Sequence, residues 1–334
     1  MSLYTGFLTF IAQWINNIQF LASACFGFVV NFFNIQSYYK PIPYSPKNAI
    51  IITGCSSGIG FETSFQLAYK GFMVIAVVRK REHADILNNV HQNICPILCD
   101  VQFNEQINTM FTNVSELLRS KGANLVALIH NAGSVDFSPM ECTKDDYTQE
   151  IFDTMIKGPY YLSKKFMPML RSSGGRIVIV GSILGFSGIP LDKSMAKGSM
   201  EMMADCLRRE LRPHRVSVSL VQPGRYYKLV YKIGAIKSRI WGKMFQKESQ
   251  TIDETDENLR RIYSKQIESF TRLFRIMNFN AIHPMAVTRC IEHAVTSSYP
   301  MTRYLVGLDA CIFYVLDFLP ARFLDSLISF INIF

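Results

Sequence analysis

Six short runs, each almost wholly apolar and rich in β-branched residues, recur through the middle of the chain. They are "NAIIIT" (48–53), "FMVIAVV" (72–78), "CPILCD" (95–100), "NLVALIH" (124–130), "RIVIVGS" (176–182) and "RVSVSLV" (215–221). A strand with one wet face alternates apolar and polar residues, whereas a continuous run is a strand covered on both faces. Amphipathic stretches of helical length separate most of the runs. The arrangement that buries all of them is a parallel sheet between two layers of helices, a doubly wound α/β fold. The chain has 334 residues, enough for one large domain, alone or with a small second one.

Beyond Gly224 the alternation stops. Residues 225–297 read as helices and loops, and "TRYLVG" (302–307) reads as one last strand. The sheet domain is therefore assigned to 48–310, with 225–300 as a helical lobe on its substrate side.

The two ends of the chain are greasier than the middle. No charged side chain occurs from Met1 to Tyr39, and "GFLTFIAQWINNIQFLASACFGFVVNFF" (Gly6 to Phe33) is broken only by scattered Gln and Asn. Crossing a bilayer takes about 20 apolar residues, so residues 1–39 are expected to form a single-pass membrane anchor. A cleaved signal peptide is a rival, with Ala22-Ser23-Ala24 as its site, but there is no basic n-region and the apolar run continues past it. A buried or interfacial helix is the third reading. The linker "KPIPYSPK" (40–47) follows, and its Lys40 and Lys47 place the main domain on the cytosolic side by the positive-inside rule. The sequence does not name the membrane; the endoplasmic reticulum is the working expectation. The tail 311–334 carries only Asp317, Arg322 and Asp325 as charges. It either packs on the core or lies in a membrane interface as an amphipathic helix.

Cysteine usage suits a cytosolic domain. The eight cysteines include no CxxC pair, and Cys95 and Cys99 read as small core residues rather than metal ligands, so no metal site is expected. The sequon Asn113-Val114-Ser115 would stay unmodified there. The net charge of +9 is concentrated: Arg225 to Arg275 holds twelve Lys and Arg against six Asp and Glu. That is either a solvated helical face or a contact for an anionic membrane surface. No basic block with interleaved aromatics argues for nucleic acid, and none is expected as a partner.

"TGCSSGIG" (Thr53 to Gly60) follows the first strand and opens a helix. Gly54 permits a tight turn, Gly58 lets the backbone approach a pyrophosphate, and Gly60 lets the helix lie close on the sheet. The helix amino terminus then faces the phosphates. "HNAG" (130–133) follows the fourth strand, Asp100 ends the third, and Pro223-Gly224 ends the sixth. This set resembles the short-chain dehydrogenase/reductase family, particularly its membrane-associated retinol and hydroxysteroid dehydrogenase branches, over about residues 48–310. "RYLVG" near the C-terminus is similar to the final strand of those branches.

The resemblance implies a nicotinamide cofactor held by Thr53, Gly54, Ser57, Gly58, Ile59 and Gly60, by Asp100 and Val101 at the adenine, by Asn131, Ala132 and Gly133, by Lys197, and by Pro223 and Gly224. NAD-preferring members carry an acid after the second strand. This chain has Val78-Arg79-Lys80-Arg81 there, and a guanidinium at Arg79 would attract a 2′-phosphate, so NADP(H) is expected over NAD.

By the same resemblance, Ser182 matches the serine that polarises the substrate carbonyl. Lys197 matches the lysine that lowers the pKa of a catalytic tyrosine and holds the nicotinamide ribose. The tyrosine position is Lys193. The interval from Ser182 to Lys197 is two residues shorter than the family's usual one, and no tyrosine lies between Tyr161 and Tyr226. Met155 stands where the family's asparagine supports a water relay, and Lys228 where a threonine commonly contacts the carboxamide.

A lysine pair one helical turn apart lowers the pKa of each member, so Lys193 could serve as proton donor. It would also stand near a nicotinamide that becomes positive after hydride transfer. Two functions follow. One is an oxidoreductase of lipophilic alcohols or ketones (steroid, retinoid or fatty), with impaired activity and a possible homo-oligomeric state by family analogy. The other is an inactive cofactor-binding scaffold or NADPH sensor at a membrane.

Overall fold

Strand β1 (Asn48–Thr53) pairs in parallel with β2 (Met73–Val78) on one side and β4 (Asn124–His130) on the other, so the strand order reverses at the β1/β4 boundary. With β3 (Ile94–Leu98), β5 (Arg176–Val180), β6 (Ser217–Pro223) and β9 (Arg303–Val306), they form a seven-stranded sheet of order β3-β2-β1-β4-β5-β6-β9. Every pairing in it is parallel. The computed structural model describes residues 9–22, 25, 39–133, 139–186, 192–224, 230–232, 235–237, 257–266, 268–269 and 282–330.

The continuous apolar runs split by pleat parity into two cores. Ile50, Ile52, Val74, Ala76, Ile129, Val178 and Val180 face one side, under α2 (Gly58–Tyr69), α3 (Arg81–Asn88) and α9 (Met285–Thr296). Ala49, Ile51, Ile75, Val77, Leu128, Ile177 and Ile179 face the other, under α4 (Asn104–Lys121), α6 (Gly158–Ser173) and α7 (Asp192–Leu211). Between α4 and α6 lies α5 (Asp145–Phe152). Successive side chains of a strand point to opposite faces, and both faces here are dry.

Strand boundaries shift where local geometry competes with apolarity. β6 begins at Ser217 rather than at Arg215 because Arg215 closes the short turn Arg212–His214 in the left-handed region, at φ 59°. β3 ends at Leu98, and the amide of Asp100 turns away to the Gln106 side chain at 2.8 Å.

Past Gly224 the described residues include a small antiparallel ribbon, β7 (Val230–Lys232) with β8 (Ala235–Lys237), and the short helix α8 (Glu257–Ile262). Helix α9 belongs to the core: Ala286, Val287, Cys290, Ile291, Ala294 and Val295 are buried against the sheet and α2. The chain then forms β9 and two helices, α10 (Leu308–Leu316) and α11 (Ala321–Phe330).

Residues 9–22 form helix α1, whose Ala12 is buried in the first core. Its Asn16 amide donates to the carbonyl of Ala286 at 2.8 Å, and Gln19 donates to the carbonyl of Leu305 on edge strand β9 at 2.6 Å. Among the described residues no helix is long and apolar enough to cross a membrane.

Candidate active site and cofactor cleft

The turn from β1 into α2 sits where the strand order reverses, the place where open α/β sheets bind ligands. Gly54 and Gly58 take φ of +72° and +62°, which only glycine adopts without strain. A Cβ on Gly54 would come within 2.8 Å of Ala132 Cα, and one on Gly60 would run into the Asn131 side chain and the Gly54 carbonyl. The glycines are thus required by the approach of the "NAG" segment as well as by the turn.

Thr53 and Asn131 hold that approach together. The Thr53 hydroxyl accepts from the amides of Asn131 and Ala132, both at 3.0 Å. The Asn131 side chain donates to the carbonyls of Thr53 at 2.9 Å and Gly54 at 3.2 Å. No side chain caps α2 at Ser57, and its first turn carries no acid. An uncapped, acid-free helix amino terminus at a sheet crossover fits a pyrophosphate.

Arg79 follows β2 and is mostly exposed. Its guanidinium lies 3.4 Å from Glu150 and 3.9 Å from Asp100 at the end of β3. Lys80 and Arg81 beside it pair with Glu82 and Asp85 at 3.8 and 3.4 Å. Val101 is buried, and Gly158 at the start of α6 packs so closely that a Cβ there would meet the Val101 carbonyl at 2.8 Å.

On the catalytic side, Ser182 caps the turn Ile183–Gly185 that follows β5, its hydroxyl accepting from the Leu184 amide at 3.3 Å. Lys197 on α7 is buried, and its ammonium donates to the carbonyl of Val180 at 2.8 Å. Lys193 is the second residue of α7, one turn before Lys197; its side chain lies outside the described residues. Met155 is fully buried inside a π-helical turn, Asp153–Lys157, with its sulfur 3.9 Å from where a Cβ on Gly133 would stand. π-turns recur at functional sites, and the thioether in this one makes no hydrogen bond of the kind an amide would. At the end of β6, Gly224 donates its amide to Val306 at 2.9 Å. Arg225, Tyr226, Tyr227 and Lys228 lie outside the described residues.

A family profile described as short chain dehydrogenase matches residues 48–227. The chain belongs to the short-chain dehydrogenase family. Within it, the sequence is 30% identical to 17-beta-hydroxysteroid dehydrogenase type 6 of Rattus norvegicus, over 84% of this chain and 87% of that protein. It is 28% identical to retinol dehydrogenase 16 of Mus musculus, over 90% and 92%, and 27% identical to mitochondrial D-beta-hydroxybutyrate dehydrogenase of Rattus norvegicus, over 80% and 79%. Among solved structures, a short-chain dehydrogenase from Streptomyces avermitilis shares the fold at TM-score 0.63 and 22% identity, covering 84% of this chain and 93% of that one. A metagenomic short-chain oxidoreductase in complex with NADP matches at TM-score 0.50 and 25% identity, over 54% and 84%.

Three residues near this short-chain dehydrogenase cleft escaped the sequence reading. Asp309 presses its carboxylate against Gly224, so closely that any side chain at 224 would collide with it. Glu201, one turn after Lys197, is half-buried, accepts from Gln222 at 2.8 Å and fills the space beside Gly185. Burial raises its pKa, opposed by the Gln222 bond and Arg303. Tyr314 on α10 packs edge-on against Phe186 at 5.7 Å between ring centroids. Helical spacing from Lys197 could have flagged Glu201. Nothing local in sequence flags Asp309 or Tyr314.

Proposed function

We propose that the chain binds NADP(H) in preference to NAD(H) and acts on a lipophilic alcohol–ketone pair, with hydride transfer slowed by an incomplete proton relay. The observation that carries the reading is the pairing of an intact phosphate cradle at α2 with Met155 and Lys193 at two catalytic positions.

The cofactor would lie with its pyrophosphate on the turn Gly54–Gly60 and its adenine beside Asp100 and Val101. Asn131, Ala132, Gly133 and Lys197 would line its ribose side, with Pro223 and Gly224 at the nicotinamide. Arg79 is the residue for a 2′-phosphate. Its existing ion pairs are solvent-exposed, and such pairs are worth at most about 1 kcal/mol. Charge-assisted hydrogen bonds to a phosphate are worth about 1.5–3 kcal/mol, so the phosphate wins the competition.

When bound, the cofactor supplies or accepts the hydride. Ser182 would orient the substrate carbonyl through its hydroxyl, and the reduced oxygen then needs a proton. We assign that role to Lys193, four residues before Lys197 on α7, since like charges one helical turn apart favour release of a proton. A second cation at that place also opposes the positive charge that develops in the cleft. Met155 cannot support a water chain as an amide would.

The substrate class is supported by the relatives, named for retinol and 17-beta-hydroxysteroid. The charge-free stretch 1–39 supports a membrane location, with the domain on the cytosolic side, where Asn113 on α4 stays unglycosylated. The endoplasmic reticulum and a homo-oligomer complete the reading.

A second reading, a cofactor-binding scaffold or sensor without turnover, is favoured by the Lys197 ammonium being committed to the Val180 carbonyl. Fluorescence titration with NADPH and NADH, followed by single-turnover assays on steroid, retinoid and fatty carbonyl compounds, separates the two. Tight NADPH binding with slow turnover supports the first. Tight binding with no turnover of any compound supports the second, and NADH binding as tightly as NADPH contradicts the cofactor assignment.

A further inference from the structure

Helix α1 is amphipathic in the reverse of the usual sense. The side chains it turns into the protein include two of its four amides: Asn16 is fully buried on the carbonyl of Ala286, and Gln19 holds the carbonyl of Leu305 on edge strand β9. Phe20 stacks on His293, with ring centroids 4.4 Å apart and planes within 3°. Beside the exposed Asn17, the large side chains it turns outward are Phe10, Trp14, Ile18 and Leu21, exposed at 64, 58, 46 and 64%. Their spacing of four, four and three residues makes one continuous stripe.

The other end of the chain repeats this on the same sheet edge. α10 begins three residues after Leu305, the residue that Gln19 holds. Leu308, Ile312 and Val315 along it, Phe318 in the turn that follows, and Phe323 on α11 are exposed.

Deepening the membrane location proposed above, we infer that α1 does not cross the bilayer but lies in its plane, docked on the β9 edge, with its outer stripe and the apolar side chains of α10 and α11 seated on phospholipid. Two observations select lipid over a second protein. A protein interface surrounds its apolar centre with a polar, often charged rim, whereas residues 1–39, and with them the α1 stripe, carry no charge; the exposed charges Asp317, Arg322 and Asp325 all lie beyond the end of α10. An in-plane helix with Trp and Phe on its outer face is the usual form of an interfacial anchor. The docked geometry also gives both amides carbonyl partners from the domain, which a lone spanning helix could not offer in hydrocarbon.

The test uses the full chain carrying Trp241→Phe, which leaves Trp14 as its one tryptophan. Phosphatidylcholine vesicles are made with bromine either near the headgroup or near the chain end of the lipid. Binding with a blue-shifted Trp14 spectrum, quenched more by the shallow label, is the expected result. Stronger quenching by the deep label would keep the membrane location and overturn the in-plane placement. No vesicle binding would overturn both. A dimer that shields Trp14 without lipid would assign the stripe to a second copy and overturn the lipid claim. In flotation assays, Trp14→Glu with Ile18→Glu should weaken vesicle binding at least ~10-fold, since charges at this depth are costly, with the thermal midpoint unchanged because both side chains face outward. Unchanged flotation of that variant overturns the inference.

Discussion

The Asn131 side chain bridges two carbonyls of the glycine turn, those of Thr53 at 2.9 Å and Gly54 at 3.2 Å, and so fixes the end of β4 against the amino terminus of α2. That link makes the cofactor cradle a property of two distant segments.

Asn131→Ala removes both bonds and leaves the Gly54 turn untethered. Buried or half-buried hydrogen bonds of this kind contribute about 1 kcal/mol each. NADPH affinity should fall about tenfold with far-ultraviolet dichroism unchanged, and a titration checks it. Unaltered affinity would mean the turn is held by its glycines alone.

Arg79→Glu should reverse cofactor preference. Removing charge-assisted bonds to a 2′-phosphate and adding repulsion should cost NADPH at least ~10-fold in affinity while sparing NADH. Parallel titrations with the two cofactors read the ratio, and equal losses would assign Arg79 to the fold through Glu150 instead.

His130 is fully buried, its Nε2 within 2.8 Å of the Ser163 hydroxyl, and burial pushes its pKa down to about 3. Unfolded, it would take a proton near pH 6.5. Below that pH the unfolded state binds a proton that the folded state refuses, so stability falls as pH drops from about 6.5 toward 3. The slope from this one side chain approaches about 1.4 kcal/mol per pH unit. Burial likewise lowers the pKa of His283 and His293, adding in the same direction. Urea midpoints between pH 7 and pH 5 test this, and His130→Asn should flatten the profile.

Arg176 is fully buried and donates to the carbonyls of Lys40 at 2.6 Å, Gly174 at 2.8 Å, Gly175 at 3.2 Å and Ser297 at 3.3 Å, with its guanidinium over the Tyr39 ring. It pins the linker to the core. Arg176→Ala strands those acceptors and opens a cavity, and should destabilise by about 3–5 kcal/mol. Limited proteolysis should then cut first near Lys40.

How much of this was legible in sequence follows from range. The strands were legible because apolar continuity is a local signal, and the cradle because its glycines fall at fixed spacing after a strand. The inward side of α1 was not. Asn16 and Gln19 read as polar dilution of an apolar run, and their partners lie more than 250 residues away. Arg176 looks like an ordinary strand-opening charge until the carbonyls of Lys40 and Ser297 converge on it. Asp309 acquires meaning only when β9 is laid beside β6 and its carboxylate meets Gly224.

On the reading proposed above, the cofactor site is complete and the proton relay is not. Single-turnover oxidation of bound NADPH by a lipophilic ketone, compared between the native chain and Lys193→Tyr, tests it most directly. A well-placed general acid contributes about 10²–10⁴ in rate, and the shortened Ser182–Lys197 interval will forfeit part of it. Oxidation should be slow in the native chain and at least ~10-fold faster in Lys193→Tyr, with NADPH affinity unchanged. A native chain already turning over at tens per second, no faster with tyrosine at 193, would contradict that reading.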